Sequence, residues 1–132
     1  MFKQIKVTSS SRVEFIDITS QIKSIVKKSE IESGILILKV PHTTAGITIN
    51  ENADPDVRRD MIKQLAEIAP AGNNYHHREG NSDAHIKSTL VGTEETVLIK
   101  NGHLFLGRWQ GLFFCEFDGP RTRKLNIKII PG

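Results

Sequence analysis

Residues 95–130, ETVLIKNGHLFLGRWQGLFFCEFDGPRTRKLNIKII, decide the fold. Two strand-like runs, 95–100 and 103–108, flank Asn101-Gly102. That dipeptide is the strongest short hairpin signal, because a type I′ turn needs positive φ at both central positions and Asn and Gly tolerate it. Residues 112–118 and 122–130 read as two more strands, joined through Gly119-Pro120. In the last of them Arg123, Leu125, Ile127 and Ile129 alternate with Lys124, Asn126 and Lys128. Period-two alternation of this kind marks a sheet with one face in a core. The C-terminal part of the chain therefore reads as all β.

Working back toward the N-terminus, residues 2–8 and 12–18 look like strands, and Ser9-Ser10-Ser11 between them suggests a hairpin. Thr19 or Ser20 can cap a helix near 20–31 that carries Ile22, Ile25 and Val26 on one face. Residues 35–40, Ile-Leu-Ile-Leu-Lys-Val, are apolar on both faces, the pattern of a central strand covered on both sides. Pro41 ends it, and a further strand is expected at 44–50. Asp54-Pro55 opens the clearest helix, 55–69: Asp54 suits the cap, Pro55 suits the first helical position, and Val57, Met61, Leu65 and Ile68 form an amphipathic stripe. Pro70 stops it. Residues 71–82 read as a polar loop, and Ser82 or Asp83 can cap a third helix, 83–91. The whole, 1–132, reads as a single α+β domain with most strand pairs antiparallel.

Composition narrows the function classes. Of 132 residues 38% are hydrophobic and 25% are charged, which fits one globular domain. No apolar run approaches the ~20 residues of a membrane span, so no membrane partner is expected. The charge of +3 is mild and aromatics are few, so a nucleic-acid partner is not expected either. The N-terminus, Met1-Phe2-Lys3-Gln4, has no apolar stretch, and Cys115 is alone. The expectation is no signal peptide and a reducing cytoplasm. There is no P-loop or dinucleotide fingerprint, hence no nucleotide cofactor, and no Gly-x-Ser-x-Gly or HExxH.

Three groups of residues could carry chemistry. His42, at a strand end behind Pro41, and His77 and His85, bracketing the polar loop, are neutral imidazoles of the kind that bind Zn²⁺. Their spacing matches no metal motif, and a surface loop that merely contains histidines is the plainer reading of spacing alone. Glu51, Asp54 and Asp56 could offer oxygen ligands to Mg²⁺, although Asp54 is already explained as a cap. Glu116 interrupts the apolar run Leu112–Phe117 and needs a partner if it is covered, with Arg121 or Arg123 across the Gly119-Pro120 turn the obvious ones. A structural pair and a catalytic carboxylate are both open for it. Cys115, with no base near it in sequence, reads as a core residue.

Three stretches, HTTAGITINENADPDVRRDM (42–61), GNNYHHREGNSDAHIKSTLVG (72–92) and GRWQGLFFCEFDGPRTRKL (107–125), resemble the YjbQ-like family, a group also described as secondary thiamine-phosphate synthases. Arg108 stands where that pattern usually has Thr. The resemblance implies a mixed, mainly antiparallel sheet curled into a half-barrel or jelly-roll-like sandwich, assembled as a homotrimer. It implies a transferase that joins hydroxymethylpyrimidine diphosphate to a thiazole phosphate and releases diphosphate, with a non-catalytic metal- or anion-binding module as the alternative. The family's polar positions match His42, Asn50, Glu51, Asp54, His77, Glu79, His85, Lys87, Ser88, Gln110, Glu116 and Arg121. On that reading His42, His77 and His85 converge on a divalent metal, Zn or Mg, or directly on a substrate phosphate. Glu116, Glu51 and His85 carry the catalysis. Lys87, Ser88, Gln110, Arg121 and Asn50 bind a phosphorylated small-molecule substrate.

Overall fold

In a computed structural model that describes all 132 residues, the chain runs β1 (Phe2–Thr8), β2 (Glu14–Asp17), α1 (Thr19–Ser29), β3 (Ser33–Lys39), β4 (Ala45–Glu51), α2 (Pro55–Ile68), α3 (Ser82–Val91), β5 (Glu94–Lys100), β6 (His103–Phe105), β7 (Gln110–Glu116) and β8 (Thr122–Pro131). Asn101 and Gly102 adopt φ of 53° and 77° and close the β5–β6 hairpin, with Lys100 opposite His103. The strand after that turn is shorter than expected, ending at Phe105.

The strands form two sheets, a larger one in the order β1-β8-β3-β5-β6 and a smaller one in the order β2-β7-β4. The expected mixture resolves entirely in favour of antiparallel pairing. The sheets curl toward each other as a half-barrel. Between them lies the main core, built from alternate residues such as Leu36, Leu38, Leu125 and Ile127 of the larger sheet and Ile47, Leu112 and Phe114 of the smaller. Ile22, Ile25 and Val26 of α1 close one side of it. Each side chain buried this fully contributes ~1.5–3 kcal/mol. The other face of the smaller sheet, with Phe15, Phe113, Cys115 and Phe117, packs under α2 and α3.

Two expectations fail, for reasons of long-range pairing. The Ser9–Ser11 segment is not a hairpin: β1 pairs with β8 and β2 with β7, so the chain crosses there from one sheet to the other. The strand at 35–40 is central in its sheet but is not covered on both faces, since Ile35 is 39% exposed while Leu36 and Leu38 are fully buried. No helix of the chain lies on that outer face. Helix starts also differ in detail. Asp54 caps α2 as expected, accepting the Asp56 N–H at 2.9 Å. Position Ile18 precedes α1, and Asp17 Oδ1 accepts the Thr19 N–H instead. Asn81 precedes α3 and makes no side-chain cap bond, while Asp83 lies inside the first turn with its carboxylate taken by Arg12.

A second crossing, from β7 to β8 at residues 117–121, lies against the first. Gly119 N–H donates to Arg12 O at 2.9 Å, and Ser9 N–H donates to Arg121 O at 3.0 Å. The fit is tight: a Cβ on Gly119 would lie 2.5 Å from Ser11 O and 2.6 Å from Ser9 Oγ. Gly119→Ala should therefore cost ~1–3 kcal/mol as an overpacking change. Urea unfolding should show a lower midpoint at unchanged slope, and an unchanged midpoint would mean that the corners part without cost.

Candidate functional site

The stacked corners fix a buried ion pair. Glu116, at the end of β7, and Arg123, in β8, belong to different sheets and meet where the chain crosses between them. Arg123 Nε donates to Glu116 Oε1 and Oε2 at 2.9 and 3.1 Å, and Nη2 donates to Glu116 Oε2, to Thr44 Oγ1 at 2.8 Å and to Thr44 O at 3.1 Å. Ser9 Oγ donates to Glu116 Oε1 at 2.8 Å, and Asp118 N–H donates to Oε2 at 3.1 Å. Burial alone would raise the Glu116 pKa, but these donors, Arg123 foremost, hold it below the ordinary value. Glu116 is therefore an ionised anchor for Arg123, and the partner is Arg123, not Arg121. An ionised carboxylate with its oxygens engaged has neither a proton to give nor a free lone pair for one. Among the two roles open for it, the geometry gives the structural one.

Beside this pair opens a cleft of about 500 Å³ with no hydrophobic residue in its wall. His42, His77 and His85 all line it, together with Glu79, Arg121 and Arg123. The His77 and His85 rings stand edge to face with centroids 5.5 Å apart. Arg121 donates through Nε to Asp118 O at 2.9 Å and through Nη2 to Asp118 Oδ2 at 3.1 Å. Its side chain is half exposed. Pro41, Thr43, Thr44, Asn81 and Asp118 complete the wall. Sequence reasoning did not assign Arg123 to the site. Its signal was present, an arginine in register with Leu125, Ile127 and Ile129 on the core-facing side of β8.

Other expected members fall elsewhere. In the β4–β7 pair Ala45 faces Glu116 and Glu51 faces Gln110, so six residues separate the two ends, ~20 Å of strand. Asn50, Glu51 and Gln110 sit at the far end from the cleft. There Asn50 Oδ1 accepts the Glu51 N–H at 2.7 Å and Gln110 Oε1 accepts the Gly107 N–H at 2.7 Å. Within one chain they do not share a site with the histidines. Lys87 is buried and donates to Asp83 Oδ2 at 3.4 Å, and it is not part of the cleft wall. Ser88 Oγ donates to Ala45 O at 2.6 Å, tying α3 to β4. Ser88 also lines a smaller neighbouring cavity that reaches His42 and His85. Burial pushes the Cys115 thiol up, in keeping with a core residue.

The expected metal set does not fit. No three His, Cys, Asp or Glu side chains are placed to hold one metal ion between them. His42 Nε2 accepts the Lys124 backbone N–H at 2.9 Å, so that lone pair is already used. Burial, with the positive charge of Arg123, lowers the His42 pKa below its ordinary value.

A family model described as UPF0047 protein YjbQ-like matches residues 3–132. The chain is 52% identical to the UPF0047 protein MJ1081 of Methanocaldococcus jannaschii over 130 residues, covering 98% of this chain and 94% of that protein. It is 48% identical to the UPF0047 protein YugU of Bacillus subtilis, covering 98% and 99%. A crystal structure of a yjbq/upf0047 family protein from Clostridium acetobutylicum superposes with a TM-score of 0.94 at 50% identity, covering 97% of this chain and 99% of that one. A YbjQ-like protein of unknown function from Sulfolobus solfataricus gives 0.95 at 32% identity, covering 100% and 97%.

Proposed function

The chain belongs to the UPF0047 YjbQ-like family; from its cleft we propose that it acts on a phosphorylated small molecule, and from the activity that the family resemblance implies, that it is a transferase of the thiamine-phosphate synthase type. The observation that supports the phosphorylated ligand is the cleft wall itself, mostly polar, with two arginines and three histidines. In the reaction the thiazole ring nitrogen gives its lone pair to the pyrimidine methylene carbon. The C–O bond to diphosphate breaks, and the diphosphate leaves with that electron pair. No proton has to be taken from the nucleophile. The help needed is stabilisation of charge on the leaving group, which preorganised N–H donors supply. Nη1 of each arginine is free of intrachain bonds. No general base is required, which agrees with a Glu116 engaged elsewhere.

The test is release of diphosphate when purified protein is given hydroxymethylpyrimidine diphosphate and thiazole phosphate. Arg121 is exposed enough to be removed without loss of the fold, and Arg121→Ala should lower turnover by about 10- to 100-fold, the worth of a hydrogen bond to a charged group. The placement of Asn50, Glu51 and Gln110 away from the cleft favours the second reading, a non-catalytic anion-binding module. Binding of inorganic diphosphate without turnover on these substrates would select it.

We also propose that the chain self-associates through the outer face of its larger sheet. Ile130, Ile35, Leu98 and Phe105 lie opposite one another across β8, β3, β5 and β6 and are 43%, 39%, 56% and 58% exposed. A row of this kind is what association would cover. Three copies is the number the family resemblance implies. Light scattering should give three times the 14.8 kDa of the chain, and Leu98→Glu should reduce it toward one. A wild-type mass of one chain would reject association.

A further inference from the structure

We infer that the Lys124 backbone N–H fixes His42 as the tautomer protonated on Nδ1, so that His42 enters the cleft it shares with Arg123 as a neutral hydrogen-bond donor, and not as a metal ligand or a base. A neutral imidazole carries one N–H and one lone pair. Lys124 N stands 2.9 Å from Nε2, and an amide can only donate, so the lone pair is on Nε2 and the proton is on Nδ1. Nδ1 has no partner in the chain, and the ring lines the cleft. A metal would need one of the two nitrogens with a free lone pair, and neither offers it.

Arg123 supplies a second donor of fixed direction. Its side chain is 4% exposed, and Nε and Nη2 are both committed to Glu116 and Thr44. Nη1 alone is unpartnered, and Arg123 lines the same cleft as His42. The negative charge of Glu116 balances the guanidinium, yet its geometry leaves one N–H edge for a ligand. Two donors held by backbone and by a buried ion pair need no reorganisation when an acceptor arrives. Their natural occupant is an oxygen-rich anion, a phosphoryl or diphosphoryl group. This rests on the reading of the cleft as a phosphorylated-ligand site and assigns the atoms that would hold the oxygens.

The test uses the intact protein labelled with ¹⁵N-histidine. Long-range ¹H–¹⁵N spectra near neutral pH should show His42 with a protonated Nδ1 and an unprotonated Nε2. Titration with inorganic diphosphate should perturb His42. The dissociation constant should rise about 10- to 100-fold in His42→Leu. His42→Asn, which keeps an N–H near the Nδ1 position, should recover most of that loss. A His42 protonated on Nε2 overturns the inference and leaves the anion reading standing. So does diphosphate binding that is equally tight in His42→Leu, or coordination of equimolar Zn²⁺ through His42. If diphosphate does not bind at all while the Nδ1–H tautomer is observed, the phosphorylated-ligand reading fails, and the ligand assigned to His42 fails with it.

Discussion

Glu116→Gln should lower the stability of the chain by ~3–5 kcal/mol, because it leaves Arg123 buried without its counter-charge. In a chain of this size that corresponds to a fall in Tm of roughly 10–20 °C. The amide is nearly isosteric, so shape is not the cause. Gln can accept one hydrogen bond from Arg123, but its NH₂ faces donors from Ser9 or Asp118 where the carboxylate accepted them. Adding Arg123→Met should return a good part of the loss, since two matched apolar groups often replace a buried pair at little cost. Calorimetry of the two single variants and the double variant tests this as a cycle. Strict additivity would show that the pair is not coupled. Activity separates the roles as well: Glu116→Gln should lose turnover mainly through misplacement of Arg123, so its pH profile should keep the wild-type shape.

Asp83→Asn should have a comparable effect, ~3–5 kcal/mol, by the same mechanism at a second place. Asp83 is fully buried in the first turn of α3. Arg12 Nη1 and Nη2 each donate to it at 3.0 Å, and Lys87, its side chain 4% exposed, donates to it at 3.4 Å. Without the carboxylate, Lys87 is left buried and charged. Lys87→Met in the Asp83→Asn background should restore much of the stability. Burial by itself would raise the Asp83 pKa, but Arg12 and then Lys87 bring it below the ordinary 3.8. Glu116 is likewise below its ordinary 4.5. Groups of this sign contribute stability above their unfolded values and lose it as pH falls through their folded values. The wild type should therefore weaken steeply below about pH 4, the window set by those unfolded values. The two Asn and Gln variants should show a flatter acid limb. An equally steep limb in Asp83→Asn would mean that other carboxylates control it.

His42 acts in a higher window. Its folded pKa is below the ordinary 6.5, so the unfolded chain takes up the proton first and stability declines as pH falls below that value.

Element identity was legible from local chemistry. Asn101-Gly102 specified its hairpin because positive φ at both positions is open to few residues, and Asp54-Pro55 specified the start of α2 because a cap and a prefixed φ act within one turn. The core side of β8 was legible from its alternation, and the family from three motifs in order. The pairing was not legible. Ser9–Ser11 has turn composition, yet Ile5 lies opposite Leu125 and Phe15 opposite Cys115, partners about a hundred residues away that no local rule can choose. For the same reason the polar residues could not be sorted into one site. His42, His77 and His85 gather because the ends of β3 and β7 and the start of α3 meet at the stacked corners, while Glu51 and Gln110 are carried to the other end of the same strands. Sequence determined which residues are polar, apolar, capping or turning, since these are properties of the side chain and its neighbours. Only the tertiary structure decided that Arg123 rather than Arg121 holds Glu116, and that Lys124 N–H occupies His42, since both depend on the register in which two sheets are brought together.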